Sequence, residues 1–282
     1  MTELLSYLKR AVEQQASDLF IVAGAPVCAK MDNKTLPVGK ERLLPADTQR
    51  LIAAVYQVAN RNPERYFKQG DDDFSFSVPN LARFRVNAYR QRGSLAAVIR
   101  VVNFRIPDWK SLRIPEQVMS LSAASHGMVL VTGTAGSGKS TTQACIIDCI
   151  NQMRSCHIIT MEDPIEYLHR NKRSIISQRE IAIDTEDYPS ALRACLRQAP
   201  DVILLGEMRD QETIQTAMTA AETGHLLIAT LHTRGAVNTI DRIVDTFPSG
   251  QQGQIRVQLS MVLHTIVSQQ LLPGVAGELT PV

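Results

Sequence analysis

The stretch GTAGSGKS, Gly133 to Ser140, carries the clearest chemistry in the sequence. It fits the phosphate-loop pattern of a glycine, four residues, then Gly-Lys-Ser. Its glycines let successive backbone amides face phosphate oxygens. The helix expected to follow turns its positive end to the same anion. Lys139 reaches the outer phosphates, and the Ser140 hydroxyl suits a magnesium ion. Thr134, Ala135, Gly136, Ser137, Gly138 and Thr141 complete the loop and offer mainly backbone amides. A strand before this loop and a helix after it make it a nucleoside triphosphate site.

Acidic and basic groups recur further along the chain. TMEDPIEY places Glu162, Asp163 and Glu166 after one apolar run, LLGEMRD places Glu207 after another, and HLLIATLH is bounded by His225 and His232. Many nucleotide-hydrolysing proteins end such a run on an aspartate, and here that position is Gly206.

These groups converge only if the runs are parallel strands, whose carboxyl ends share one edge of a sheet. Four short runs, beginning at Met128, His157, Val202 and His225, are continuously apolar, and amphipathic segments such as Thr141–Met153 and Gln211–Thr223 separate them. Apolar on both faces and alternating with helices, they predict a mostly parallel sheet in an α/β domain over residues 127–282. Residues 103–126, with Pro107, Pro115 and a Ser/Ala-rich run, read as a linker. Residues 1–102 begin with an amphipathic helix (Leu4, Leu5, Leu8, Val12). A hairpin then alternates Phe74, Phe76 and Val78 with Phe84, Val86 and Ala88, and a third strand runs from Ser94 to Val102. Arg83, Arg85 and Arg100 fall on the non-core face of these strands.

The bulk numbers are ordinary. The 282 residues are 44% hydrophobic and 21% charged, with a net charge of +2, which calls for neither nucleic acid nor an anionic membrane. The five cysteines form no CxxC pair and read as small hydrophobes in a reducing compartment. The amphipathic N-terminus is not a signal peptide, and no apolar run approaches the roughly 18 residues needed to span a bilayer, so a cytoplasmic location is expected.

GTAGSGKSTT, ITMEDPIEY, LLGEMRD, TAMTAAETGHLLIATLHT and TIDRIVDTFP together resemble the motif set of the secretion ATPase superfamily, and most closely that of the PilT-like retraction ATPases of type IV pili. ASDLFIVAG and ARFRVNAYRQRG match as well, so the resemblance runs over nearly the whole chain. It implies a PAS-like N-terminal domain followed by a RecA-like P-loop ATPase domain, assembled as a homo-hexameric motor. ATP and Mg2+ are its implied ligands. The implied partners are an inner-membrane platform protein and, indirectly, pilin subunits, with the motor at the inner face of the cell membrane. Glu162, Asp163 and Glu166 become an acidic box, Glu207 the glutamate that positions or activates water, and His225 and His232 a histidine box. The metal rests on Ser140, with Glu162, Asp163 and Glu207 acting through water. Arg85 and Arg100 become the arginines that meet the γ-phosphate, with Arg83, Arg90 and Arg92 as alternates. Retraction ATPases continue past SQQLLP with a further helical region and a motif linked to retraction, so hydrolysis is implied more directly than retraction. The weighed alternatives are a regulatory nucleotide-binding subunit with little hydrolysis and a pilus assembly ATPase.

Overall fold

The computed structural model describes residues 2–31, 34–102, 106–273 and 279–282. The chain divides into two compact units, Met1–Phe104 and Arg105–Val282.

In the first unit, α1 (Thr2–Glu13) precedes β1 (Asp18–Ile21), β2 (Cys28–Met31) and β3 (Lys34–Pro37). The helices α2 (Pro45–Val58) and α3 (Glu64–Gln69) follow, then β4 (Asp71–Val78), β5 (Ala82–Gln91) and β6 (Ser94–Val102). The strands form one antiparallel sheet in the order β3-β2-β1-β6-β5-β4. The alternation read from the sequence sets its faces: Phe74, Phe76, Phe84, Val86, Ala88 and Ile99 are buried, together with Leu4 and Leu8 of α1. Asn80 takes a positive φ of 61° in the β4–β5 turn, where asparagine is tolerated. Buried Asp72 accepts hydrogen bonds from Tyr56 Oη (3.0 Å), Arg61 Nε (3.0 Å) and Arg61 Nη2 (2.9 Å), so its charge is paired inside the unit.

The second unit is a six-stranded, all-parallel sheet. Its elements are α4 (Glu116–Met119), β7 (Gly127–Thr132), α5 (Lys139–Met153), β8 (His157–Glu162) and β9 (Ile175–Glu180). After them come α6 (Tyr188–Cys195), β10 (Val202–Leu205), α7 (Gln211–Glu222), β11 (Leu226–Leu231), α8 (Ala236–Asp245), α9 (Ser249–Val262) and β12 (Leu263–Ser268). The strand order is β12-β7-β11-β10-β8-β9. β7, β10 and β11 are buried at every position, because helices cover both faces. One core lies between the sheet and α6, α7, α8 and α9, and the other between the sheet and α5. The edge strands β9 and β12 have mixed composition and did not show as apolar runs.

One expectation changes. The stretch read as a linker, residues 103–126, is folded wherever it is described: Ile114, Met119 and Leu121 are buried in the α5-side core, and α4 lies within it. Its prolines mark turns, while its apolar residues, spaced too irregularly to show a period, supply burial. Residues 103–105 of that stretch lie outside the described residues. All five cysteines are free thiols, and Cys145 and Cys195 are buried.

Candidate active site

The phosphate loop leaves β7 and enters α5 at Lys139. Gly133 has a φ of 148°, and a methyl group there would overlap the Gln269 carbonyl oxygen and lie 2.6 Å from Ser137 Oγ, so only glycine fits. Gln269, just past β12, braces the loop from behind. Its Nε2 donates to the Ser137 carbonyl (2.7 Å), its Oε1 accepts from Thr142 Oγ1 (2.7 Å), and its backbone N–H donates to the Thr132 carbonyl (2.7 Å). Lys139 Nζ donates to the Gly133 and Thr134 carbonyls (3.0 and 2.8 Å), which turns its charge onto the loop. Burial lowers the Lys139 pKa, and the nearby Glu166 and Glu207 carboxylates partly counter this.

Strand ends deliver the acids. β10 continues its ladder past Leu205: the Gly206 N–H donates to the Met161 carbonyl (2.8 Å) and the Met208 N–H to the Thr230 carbonyl (3.0 Å). Glu207 is thereby pinned between the ends of β8 and β11. Its side chain is only 12% exposed, and it pairs with Arg209 Nε (2.7 Å) and His232 Nε2 (3.2 Å). Glu162 ends β8. Burial pushes its carboxyl up to about 7, although Thr160 Oγ1 (2.6 Å) and Gln178 Nε2 (3.3 Å) donate to it and favour its charged form. The segment after it is fixed by Glu180 Oε2, which accepts from the Ile165 N–H (3.3 Å). Tyr167 and Thr141 share a hydroxyl hydrogen bond of 2.8 Å, tying that segment to the first turn of α5.

One cavity of about 290 Å³ collects these groups, its walls including Ala135, Gly136, Lys139, Ser140, Glu162, Asp163, Glu166, Glu207 and His232. Of the residues singled out in the sequence, the phosphate loop, the acidic segment, Glu207 and His232 therefore meet. His225 does not. It precedes β11 at the amino edge of the sheet, where its Nδ1 lies 2.8 Å from the Ala220 carbonyl oxygen. The six residues of β11 separate it from His232, about 20 Å at the usual rise per residue. A strand has one residue at each end, and only its carboxyl end reaches the cavity.

Arg85 and Arg100 belong to the first unit, where they face each other across β5 and β6. Arg100 Nε pairs with Asp18 (3.0 Å). The residues lining the cavity all come from the second unit.

Several wall residues went unread in the sequence, among them Gln143, His169 and Tyr188. Gln143 stands one turn beyond Lys139 on the same helix face; it is buried, and among the described residues its Nε2 has no partner. His169 also lines the wall, and burial holds its pKa at about 4, so it is a neutral imidazole. Tyr188 enters from the start of α6, where Asp187 caps the helix by accepting from the Ser190 N–H (2.8 Å). Only the i, i+4 spacing of Lys139 and Gln143 could have flagged one of them.

The carboxylates and the Ser140 hydroxyl are hard oxygen donors of the kind Mg2+ prefers. Among the described residues no three acidic, histidine or cysteine side chains gather closely enough to hold a metal alone.

The Type II/IV secretion system protein model matches residues 3–278. The chain belongs to that family. Among curated family relatives, the type IV pilus retraction ATPase PilT of Pseudomonas aeruginosa is 42% identical over 278 residues, covering 98% of this chain and 79% of the relative. The type IV pilus ATPase PilU of the same organism is 40% identical over 277 residues, covering 98% and 72%. Among solved family structures, the pilus retraction motor PilT with bound ADP superposes with a TM-score of 0.89 at 48% identity, covering 98% of this chain and 80% of that one. The α/β P-loop ATPase fold is thus shared with these proteins. No described helix is long and apolar enough to cross a membrane.

Proposed function

We propose that this chain is an Mg2+-dependent ATPase that powers retraction of a type IV pilus as a homo-hexamer. It works at the cytoplasmic face of the membrane against a platform protein, and through it on pilin subunits. The observation that carries the hydrolytic reading is the convergence of Lys139, Ser140, Glu162, Asp163, Glu166, Glu207 and His232 on one cavity. The retraction reading rests on the likeness to PilT over nearly the whole chain.

Phosphoryl transfer asks a protein chiefly for positioning and charge neutralisation. Residues 133–141 hold the phosphates through backbone amides, and Lys139 moves from the loop carbonyls to the outer phosphates. Ser140 would hold the metal, with Glu162, Asp163 and Glu207 reaching it through water, and Mg2+ would supply positive charge to the phosphate oxygens. Glu207, set at a strand end and oriented by His232, takes the proton of the attacking water. In this reading His225 has no contact with the reacting atoms and supports the fold, while Arg85 and Arg100 meet the γ-phosphate once the ring is assembled. The 1–102 unit is then the PAS-like domain that carries these arginines, and 127–282 is the RecA-like motor domain.

The purified protein should turn over ATP with Mg2+ and stop when EDTA removes it; turnover without a divalent ion sinks the metal assignment. In the same assay Arg85→Glu or Arg100→Glu should slow turnover about tenfold or more. Unchanged rates leave those arginines as plain surface. Loss of the gene in its host should abolish twitching and leave cells with more surface pili; normal twitching refutes the retraction reading.

A further inference from the structure

Gly206 leaves the end of β10 without a side chain at the position where related chemistry commonly uses an aspartate to hold the metal's water. The space is not empty. A methyl group at Gly206 would lie 2.6 Å from Tyr188 Oη, 3.2 Å from the Glu162 Cα and 3.3 Å from the Met161 carbonyl oxygen. The Tyr188 hydroxyl therefore lies over the Gly206 Cα, where the first carbon of an aspartate would have to go. Topology brings it there: α6 follows β9 and precedes β10, so in this parallel sheet its first residue returns to the carboxyl edge. The Asp187 cap and Pro189 set that first turn, and the ring packs against the buried core that lies between the sheet and α6, α7, α8 and α9.

We infer that Tyr188 is a positioning residue whose hydroxyl takes over the strand-end polar position that Gly206 gives up. The inference rests on the ATPase reading above. A neutral hydroxyl can accept one hydrogen bond from water while donating another to a carboxylate. Tyr188 thus links a water beside the phosphates to the acidic wall of Glu162, Asp163 and Glu207. Burial first, and then these three carboxylates, raise its pKa, so the phenol keeps its proton and remains a donor wherever the protein is folded. A tyrosine here adds no charge to a wall that already carries four acids, whereas an aspartate would add a fifth. Gly206 and Tyr188 then form one device, with the glycine making room for the hydroxyl.

The test is Tyr188→Phe, which keeps the ring and removes only the oxygen. Wild-type protein must first bind ADP, measured with the metal-free nucleotide, and hydrolyse ATP; failure of either is failure of the ATPase reading, independent of Tyr188. Given both, the variant should bind metal-free ADP as wild type does, hold Mn2+ in its ADP complex about 3–10-fold more weakly by electron paramagnetic resonance, and lose about 5–20-fold in kcat with KM within about twofold. Unchanged Mn2+ affinity and kcat overturn the inference. So does a matching loss of metal-free ADP affinity and thermal stability, which would make Tyr188 a packing residue only.

Discussion

His225 and His232 bound the same strand, β11, yet their surroundings differ in kind. His225 settles against the backbone of α7, with the Ala220 carbonyl 2.8 Å and the Thr223 hydroxyl 3.1 Å from its Nδ1. His157, at the same amino edge, sits 2.9 Å from the Gln198 carbonyl and 3.0 Å from Ser177 Oγ, and its N–H donates to Asp201 (2.8 Å). At the carboxyl edge His232 pairs with Glu207, and burial moves Glu162 up, His169 down and Lys139 down from their ordinary values. The perturbed proton affinities of Glu162, His169 and Lys139 fall where function is expected. In the proposed mechanism the same residue type serves structure at one edge of the parallel sheet and chemistry at the other.

The histidines give the largest test of this contrast. His232→Ala should lower kcat about 10–100-fold by freeing the orientation of Glu207, while His225→Ala stays within about threefold. Equal losses in steady-state turnover would erase the distinction between the edges. Glu162 gives a smaller effect, through pH. Its folded pKa of about 7 lies above the ordinary carboxylate value, so the charged form is the one that folding disfavours. The resulting cost is missing in acid, sets in above about pH 4.5 and is complete above about pH 7. Glu162→Gln should accordingly raise stability at pH 8 by about 1–2 kcal/mol and leave it unchanged at pH 4, measured by thermal unfolding. A gain of the same size at both pH values would rule out the charge as the cause.

The legible part of this molecule was the part whose physics is periodic or local. The strands β7, β8, β10 and β11 stand out because both of their faces are buried, which makes each a continuous apolar run. The phosphate loop declares itself through glycine spacing, and Glu162, Glu207 and His232 follow from lying at the carboxyl ends of those runs. β9 and β12 escaped because an edge strand carries polar residues and loses the signature. His225 was grouped with His232 because a motif names both ends of a strand without saying which one faces the cavity. Tyr188, His169 and Gln269 were invisible because their positions depend on tertiary approach, and Gln143 showed only in its i, i+4 spacing from Lys139. Nothing in YPSALRAC announces that its tyrosine hydroxyl comes to rest over Gly206. The resemblance puts the metal on Ser140 and the acidic segment, and it gives no sign that the Tyr188 hydroxyl fills the place beside Gly206 where an aspartate would stand.

The central claim is that the cavity at the carboxyl edge hydrolyses ATP with Glu207 as the base. Glu207→Gln tests it most directly, with ATP binding and steady-state turnover measured on the same preparation. The account predicts ATP affinity within about threefold of wild type and a kcat reduced about a hundredfold or more. A variant that binds ATP and keeps the wild-type kcat would contradict it.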